Sequence, residues 1–201
     1  MLGDSLTEYA SNVQLQGFQA TLSRAYIRKA DVINRGKAGW TTRDWLPVLP
    51  DLIDEWRAKP PSLITICLGA NDAALEYLWL YVPLPEYATK LRQIVELFRA
   101  AFPAAKFILM TPGATDDTTV IRDIRSNERT GTYAAMCKTV GADLGLPVID
   151  LWTPMQGVQK EMLVDGLHFS AAGNAFVHGK LLETIRAVYP ALAPEVLPYT
   201  R

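Results

Sequence analysis

Short apolar segments alternate along the chain with longer segments in which apolar residues recur at helical spacing. The apolar segments are residues 31 to 34, 62 to 68, 106 to 110 and 147 to 150. The second is largely apolar and ends at Gly69, and the third has the same form and ends at Thr111-Pro112-Gly113. This form is typical of strands that are buried on both faces of a sheet. We therefore predict a strand in each of the four segments.

The longer segments carry the apolar stripes of amphipathic helices. One stripe lies on a helix that opens at Pro85, and it consists of Tyr87, Leu91, Ile94, Val95 and Phe98, which share one helical face. Residues 41 to 57 and 131 to 144 are also predicted to be helical. A last helix is entered through Ser170-Ala171-Ala172-Gly173, and its apolar positions are Phe176, Val177, Leu181, Leu182, Ile185 and Val188.

The alternation of these elements predicts an α/β fold. Strands separated by helices of this length are joined by βαβ crossovers, which give a parallel sheet with helices on both faces, a three-layer α/β/α arrangement. No linker, repeat or low-complexity tract interrupts the pattern, so we expect a single domain over residues 1 to 201. The tail from 189 to 201 contains three prolines. It is expected to run extended over the body or onto a neighbouring molecule, which leaves a homodimer open.

Composition and charge narrow the range of partners. The chain is 49% hydrophobic and 20% charged, far from the composition of disordered proteins. Its 20 basic and 21 acidic residues give a net charge of -1, and no block of Lys and Arg stands out. Nucleic acids and anionic membranes are therefore not expected as partners. An enzyme or binding domain for small molecules remains.

Membrane and secretory signals are not visible in the sequence. No stretch approaches the ~18 consecutive apolar residues of a membrane span, and the start of the chain has no signal-peptide pattern. Cys67 and Cys137 fit no zinc spacing and are expected to be structural, which favours a reduced, cytoplasmic setting. Only two residues precede Gly3-Asp4-Ser5, however. The N-terminus therefore looks truncated, and an upstream targeting segment stays open.

Residues suited to acyl transfer follow the predicted strands, where ligands of parallel α/β folds bind. The hydroxyl of Ser5 is a weak nucleophile that needs a base within hydrogen-bond reach. His168 follows Asp165 by three residues, so one tight turn can bring that carboxylate to the imidazole. His178 lies within a predicted helix with no acid at this spacing, and we interpret it as a surface or packing residue.

The same strand ends offer donors for an oxyanion. A tetrahedral intermediate needs preorganised hydrogen-bond donors. The candidates are the Ser5 and Gly39 backbone N–H groups and the side-chain amide of Asn71. Glycine at position 39 lets the backbone approach a substrate closely, and an asparagine amide donates without titrating.

Four blocks carry a resemblance to a known family. Gly3-Asp4-Ser5-Leu6, Gly39, Gly69-Ala70-Asn71-Asp72 and Asp165-Gly166-Leu167-His168 occur in the order of the blocks of the SGNH, or GDSL-type, hydrolases. Within that family the chain looks most like the isoamyl acetate-hydrolysing esterases. The supporting segments are residues 31 to 36, 68 to 75, 82 to 87, 148 to 153 and 165 to 170. The near-absent first strand and residues 112 to 131 depart from the pattern.

The resemblance implies a fold, a reaction and a role for each matching residue. It implies a flavodoxin-like sheet of about five parallel strands, no metal or other cofactor, and hydrolysis of short-chain, acetate-type esters. Ser5 would be the nucleophile, with Asp165 and His168 completing the triad and with Gly39 and Asn71 in the oxyanion hole.

Each candidate also has a structural interpretation. Ser5 can be a helix cap or turn serine, Asn71 can make an Asx turn, and Gly39 can be a turn glycine. Asp4 is interpreted as a supporting or turn residue and Asp72 as the cap of the following helix.

An aromatic-rich run follows the Asn71 block. Core packing and a substrate pocket are equally open interpretations for part of this run and for Trp40; the pocket candidates are Trp40, Tyr77, Trp79, Tyr81 and Val82. A pocket there predicts a small, uncharged ester as substrate. An acyltransferase with an alcohol acceptor, a sugar O-acetylesterase, a lysophospholipase and a binding module on a hydrolase scaffold are the alternatives.

Overall fold

The computed structural model describes residues 1 to 199 and contains one parallel sheet. Its strands are β1 Leu2–Gly3, β2 Arg35–Gly36, β3 Leu63–Cys67, β4 Lys106–Met110 and β5 Val148–Ile149. They lie in the order β2-β1-β3-β4-β5, and every neighbouring pair is parallel. This is the flavodoxin-like strand order, so the predicted fold class is confirmed.

Helices cover both faces of the sheet. They are α1 Ser5–Glu8, α2 Phe18–Ala25, α3 Thr42–Trp45, α4 Leu49–Trp56, α5 Leu84–Ala101, α6 Asn127–Asp143, α7 Gln159–Met162 and α8 Ala171–Val188. Short 3₁₀ helices occupy Tyr9–Ser11, Leu46–Val48, Val120–Asp123, Thr153–Met155 and Pro190–Leu192.

The central strands divide the core into two layers because successive side chains of a strand point to opposite faces. Phe107 and Leu109 of β4 pack with α3, α4, α5 and α6. Ile108 and Met110 of the same strand pack with α1, α2 and α8. The strand is apolar at every one of these positions because neither face meets water.

The second strand does not lie where the hydrophobic pattern predicts it. The prediction of a strand at residues 31 to 34 is wrong, and β2 is Arg35–Gly36 instead. A strand needs the backbone of a neighbour, and β1 pairs Leu2 with Arg35 and Gly3 with Gly36. Upstream of this pair, the Met1 carbonyl accepts from the Arg35 N–H at 2.8 Å, and the Met1 amino group donates to the Ile33 carbonyl at 2.9 Å.

Two predicted helices differ in their limits. Residues 41 to 57 form α3 and α4 with a 3₁₀ turn between them, because Pro47 and Pro50 lack the N–H groups that a continuous helix needs. The helix predicted from residue 131 begins at Asn127, where the Ser126 side chain caps it by accepting from the Arg129 N–H at 3.2 Å. The last helix starts after Ser170, as predicted.

The short first strand is held firmly despite its length. It pairs with β2 on one side and β3 on the other. The Gly3 carbonyl accepts from the Lys37 N–H at 3.0 Å and from the Trp45 indole at 3.2 Å. A cavity of about 600 Å³, lined by Met1, Val32 and Leu63 among others, lies at the opposite end of the sheet from Ser5. The backbone contacts of β1 therefore hold it at the end of the sheet that carries Ser5.

The C-terminal tail packs on the body of the chain, and it is not extended throughout. Pro190–Leu192 is a 3₁₀ helix, Ala193 is buried, and the Leu192 carbonyl accepts from the Tyr26 hydroxyl at 2.9 Å. Residues 200 and 201 of the predicted tail lie outside the described residues.

The structure also bears on the predictions made for the two cysteines and for membrane spans. Cys67 and Cys137 are free and buried, as expected of structural thiols. Within residues 1 to 199, no helix is both long enough and apolar enough to cross a bilayer.

Candidate active site

Ser5 is placed by the tight turn that joins β1 to α1. Asp4 caps α1 by accepting from the Leu6 N–H at 2.9 Å, and Ser5 is the first residue of the helix. The strand order reverses between β1 and β3, and this crevice at the carboxyl ends of the strands is where α/β folds bind ligands. Ser5 is 6% exposed and lies at this crevice.

His168 lies between Ser5 and Asp165. Its Nε2 is 2.9 Å from the Ser5 Oγ, and its Nδ1 is 2.6 Å from the Asp165 Oδ2. A carboxylate only accepts, so Nδ1 carries the proton in this pair and Nε2 presents its lone pair to the serine hydroxyl. This arrangement allows His168 to remove the hydroxyl proton while the Ser5 oxygen attacks a substrate.

Asp165 is held by the backbone of its own loop. Its Oδ1 accepts from the Leu167 and His168 N–H groups at 2.9 and 2.8 Å. Partial burial acts to raise the pKa of Asp165, but the hydrogen bond from the His168 ring and those two backbone bonds outweigh it and lower that pKa. Asp165 is therefore ionised at neutral pH, and half of its side chain is exposed to water, which also favours the charged form.

Neighbouring residues orient the Asp165 to His168 loop. The Tyr9 ring packs on the His168 ring with centroids 4.7 Å apart. Gly166 has φ +92°, and a side chain there would also collide with Thr119. The Gly166 carbonyl accepts from the Asp116 N–H at 2.9 Å. The role of the segment from 112 to 131 was left open by the sequence. In the structure this segment packs against the loop and forms a hydrogen bond with it.

The three predicted oxyanion donors follow the carboxyl ends of the neighbouring strands β1, β2 and β3. Gly39 has φ +76°, a conformation that disfavours other residues, in the turn before α3. Asn71 is buried, and its Nδ2 donates to the Trp40 carbonyl at 2.9 Å, which ties the two blocks together. Among the described residues, neither the Ser5 nor the Gly39 N–H has an acceptor. Both remain available to a ligand.

Arg125 is a residue of this site that the sequence did not reveal. It is 3% exposed; its Nε donates to the Ala70 carbonyl at 2.8 Å and its Nη2 donates to the Asn71 Oδ1. It precedes the cap of α6 in the polar stretch from 112 to 131. No hydrophobic period marks that stretch, so the pattern gave no signal that one of its arginines is buried.

Among residues 1 to 199, no group of three or more His, Cys, Asp or Glu side chains gathers in a way that could hold a metal ion.

Comparison with known proteins assigns the family. The model of the GDSL-like lipase/acylhydrolase family matches residues 1 to 176. The chain belongs to this family. It is 37% identical to the human isoamyl acetate-hydrolyzing esterase 1 homolog, over 100% of this chain and 86% of that protein. The isoamyl acetate-hydrolyzing esterase of Saccharomyces cerevisiae is 30% identical, over 99% of this chain and 90% of that protein.

Solved structures agree with the family assignment. A lipase/acylhydrolase from Enterococcus faecalis superimposes with a TM-score of 0.74 at 27% identity, over 100% of this chain and 96% of the other. The acetyl xylan esterase AlAXEase shares the fold at a TM-score of 0.73 and 17% identity, over 92% and 97% of the two chains. The GDSL-like chain therefore has the SGNH hydrolase fold and is a carboxylic ester hydrolase, which confirms the resemblance seen in the sequence.

Two further carboxyl groups are buried beside the candidate site of this GDSL-like enzyme. Burial raises the pKa of Asp4 to about 7, against the Leu6 N–H bond that lowers it. Burial likewise raises the pKa of Asp72 to about 6, although Thr42 donates to it from both N–H and hydroxyl. Asp72 was predicted to cap the helix that follows it. That prediction is wrong, because its contacts anchor the start of α3 next to Gly39.

Stability should depend on pH because of these two groups. Both bind protons more tightly in the folded chain, so their contribution to the free energy of unfolding falls as pH rises from about 4 to about 7. Asp4→Asn keeps the acceptor for the Leu6 N–H and removes the ionisable group. We expect its urea midpoint to fall less than that of the wild type between about pH 5 and about pH 8. An equal fall would contradict the assignment; Asp51→Asn, at an exposed position of α4, is the control.

The pocket candidates differ widely in their surroundings. Val82 is 1% exposed and packs in the core, as the core interpretation of this run expects. Trp40 packs edge-on against Trp45, with centroids 4.9 Å apart. Tyr81 lies under the Arg129 guanidinium at 4.6 Å. Tyr77 and Trp79 are 73% and 78% exposed, so these two lie at the surface rather than in an enclosed pocket.

Proposed function

We propose that this chain hydrolyses short-chain, acetate-type carboxylic esters through an acyl-enzyme on Ser5. The observation that carries the proposal is the chain of contacts from the Asp165 carboxylate to the His168 ring to the Ser5 hydroxyl, at 2.6 and 2.9 Å.

The first half-reaction acylates the serine. Ser5 Oγ attacks the ester carbonyl carbon while His168 Nε2 takes the hydroxyl proton. The carbonyl oxygen gains the negative charge and lies against the Ser5 N–H, the Gly39 N–H and the Asn71 amide. The C–O bond to the alcohol then breaks, and His168 returns its proton to the departing oxygen.

The second half-reaction releases the acid. A water molecule replaces the alcohol, loses a proton to His168 and attacks the acyl carbon. The bond between the acyl carbon and Ser5 Oγ breaks, and His168 reprotonates the serine oxygen. Asp165 stays ionised throughout and stabilises the imidazolium that forms in each half-reaction.

Hydrolysis is favoured over acyl transfer by the exposure of the site. The His168 and Asp165 side chains are 19% and 50% exposed, so water reaches the groups that would activate it. Transfer to an alcohol is favoured by a water-poor site. Product analysis with added alcohol separates the two reactions, since transfer yields a new ester in excess of free acid.

The acetate-type substrate is supported by the relatives and by the burial of Ser5. The human and yeast relatives carry the name of isoamyl acetate hydrolysis. Ser5 is 6% exposed, which limits the bulk that can approach its hydroxyl.

A series of p-nitrophenyl esters tests the preference for short acyl chains. We expect kcat/KM to be highest for acetate or butyrate and about 10-fold or more lower for decanoate, because a long acyl chain must fit beside a buried serine. Ser5→Ala gives the background rate for each ester. A decanoate rate equal to or above the acetate rate would rule out the short-chain assignment.

A further inference from the structure

Arg125 is a buried cation with an unusual set of partners. Both of its described side-chain contacts are to neutral oxygens, the Ala70 carbonyl and the Asn71 Oδ1. Among the described residues, no carboxylate lies within ion-pair distance of it. The negative charges of Asp4 and Asp165 favour the charged guanidinium, but they act at longer range and only partly offset the effect of burial on its pKa.

Burying such a charge is costly. Desolvation disfavours a guanidinium away from water, and it lowers the pKa of Arg125, although an arginine stays charged at neutral pH. The packing of the fold alone does not call for a cation at this position, since an apolar side chain of similar volume is commonly at least as stable as a buried charge. The contact between the guanidinium and Asn71 indicates a role in holding that side chain.

The contacts of Arg125 determine the orientation of the Asn71 amide. A guanidinium can only donate, so the oxygen of the amide faces Arg125 and the nitrogen faces away. One hydrogen of Nδ2 is taken by the Trp40 carbonyl at 2.9 Å. The other has no acceptor among the described residues, so it is available to a ligand, as are the Ser5 and Gly39 N–H groups.

The same contacts also strengthen the amide as a donor. A hydrogen bond from a cation to Oδ1 draws electron density from the amide and polarises its N–H bonds. A second bond, to the Ala70 carbonyl at 2.8 Å, holds the backbone immediately before Asn71.

Backbone hydrogen bonds of the segment from 112 to 131 hold Arg125 in place. The Arg125 N–H donates to the Ile121 carbonyl at 2.8 Å, and the Ile124 carbonyl accepts from the Leu75 N–H at 2.9 Å. The following residue, Ser126, caps α6. The residues around Arg125 are therefore fixed on one side to Leu75, close to Asn71 in the chain, and on the other side to α6. These contacts hold the guanidinium against Asn71.

We propose that Arg125 is a positioning residue for the oxyanion hole, which locks and polarises the Asn71 amide. The inference rests on the proposed function. It predicts that Arg125 contributes to turnover through Asn71 and has little influence on the binding of the ground-state ester.

A double-mutant cycle tests this coupling. We expect Asn71→Ala to lower kcat by about 100- to 1,000-fold and Arg125→Gln by about 10- to 100-fold, each with little change in KM. In the Asn71→Ala background, Arg125→Gln should lower kcat by less than about threefold, because the amide through which it acts is gone. Losses that multiply in the double variant, or a wild-type kcat for Arg125→Gln, would overturn the proposal.

Three further variants make the result interpretable. Arg125→Lys keeps the charge but not the two-point contact, and it should give a kcat between those of the wild type and Arg125→Gln. If Arg125→Gln fails to fold and Arg125→Lys has wild-type kcat, the role is structural and the proposal is wrong. Arg129→Gln is the matched control, because Arg129 pairs with Glu76 and lies over Tyr81; its kcat should match the wild type. Activity retained by Ser5→Ala would instead defeat the proposed function.

Discussion

Replacing Ser5 with alanine is expected to abolish ester hydrolysis and leave the fold intact. The substitution removes the atom that would attack the substrate, and we expect kcat/KM to fall by about 10⁴-fold or more. The single side-chain bond lost is the one to His168 at 2.9 Å. A loss of this kind costs about 1 kcal/mol of stability or less, so the unfolding midpoint should stay close to that of the wild type.

A matched serine provides the control for this experiment. Ser11 is exposed, lies six residues downstream and donates to the Glu8 carbonyl at 2.8 Å. Ser11→Ala should hydrolyse p-nitrophenyl acetate at the wild-type rate. Wild-type activity in Ser5→Ala itself would mean that the nucleophile lies elsewhere in the chain.

Replacing Asp165 with asparagine should give the second largest loss of activity. An asparagine amide can donate to Nδ1, which favours the tautomer with Nε2 protonated, and that nitrogen then has no lone pair for the Ser5 hydroxyl. We expect kcat to fall by about 10²- to 10⁴-fold. The lower bound of that range allows for the exposed half of the Asp165 side chain, where water can partly replace the carboxylate.

The asparagine variant separates the electrostatic role of Asp165 from its loop contacts. Asparagine keeps an oxygen that accepts from the Leu167 and His168 N–H groups, so the loop should retain its conformation. Asp123→Asn, at an exposed position in the adjacent 3₁₀ helix, is the control and should be fully active. A wild-type kcat for Asp165→Asn would show that His168 needs no carboxylate partner.

The sequence predicted those parts of the fold in which a local signal coincides with burial. β4 lies where its uninterrupted apolar run predicts it, at Lys106–Met110, and Ser170 caps α8 as expected. β2 was misplaced because a two-residue edge strand is defined by its partner β1, which no pattern within residues 31 to 36 records. The break at Pro47 was readable in principle, since proline removes a donor from a helix.

The candidate site divides in the same way. Ser5 directly follows β1, whereas Asp165 and His168 lie in the loop between α7 and α8. The three-residue spacing of the acid and the base survives folding as a direct contact, and the His168 ring reaches Ser5. Arg125 could not be predicted, because its role depends on a contact with Asn71 across 54 residues of chain. Its segment has neither strand nor helix periodicity before Ser126, so nothing local distinguishes a buried arginine from a solvated one.

Covalent labelling of Ser5 tests the central claim most directly. A fluorophosphonate probe reacts with a serine that an adjacent base activates, and mass spectrometry of the digested protein locates the adduct. We predict one adduct per chain, on the peptide that contains Ser5, with labelling absent in Ser5→Ala and strongly slowed in His168→Ala. A wild-type protein that hydrolyses p-nitrophenyl acetate while Ser5 stays unlabelled would contradict the assignment of Ser5 as the nucleophile.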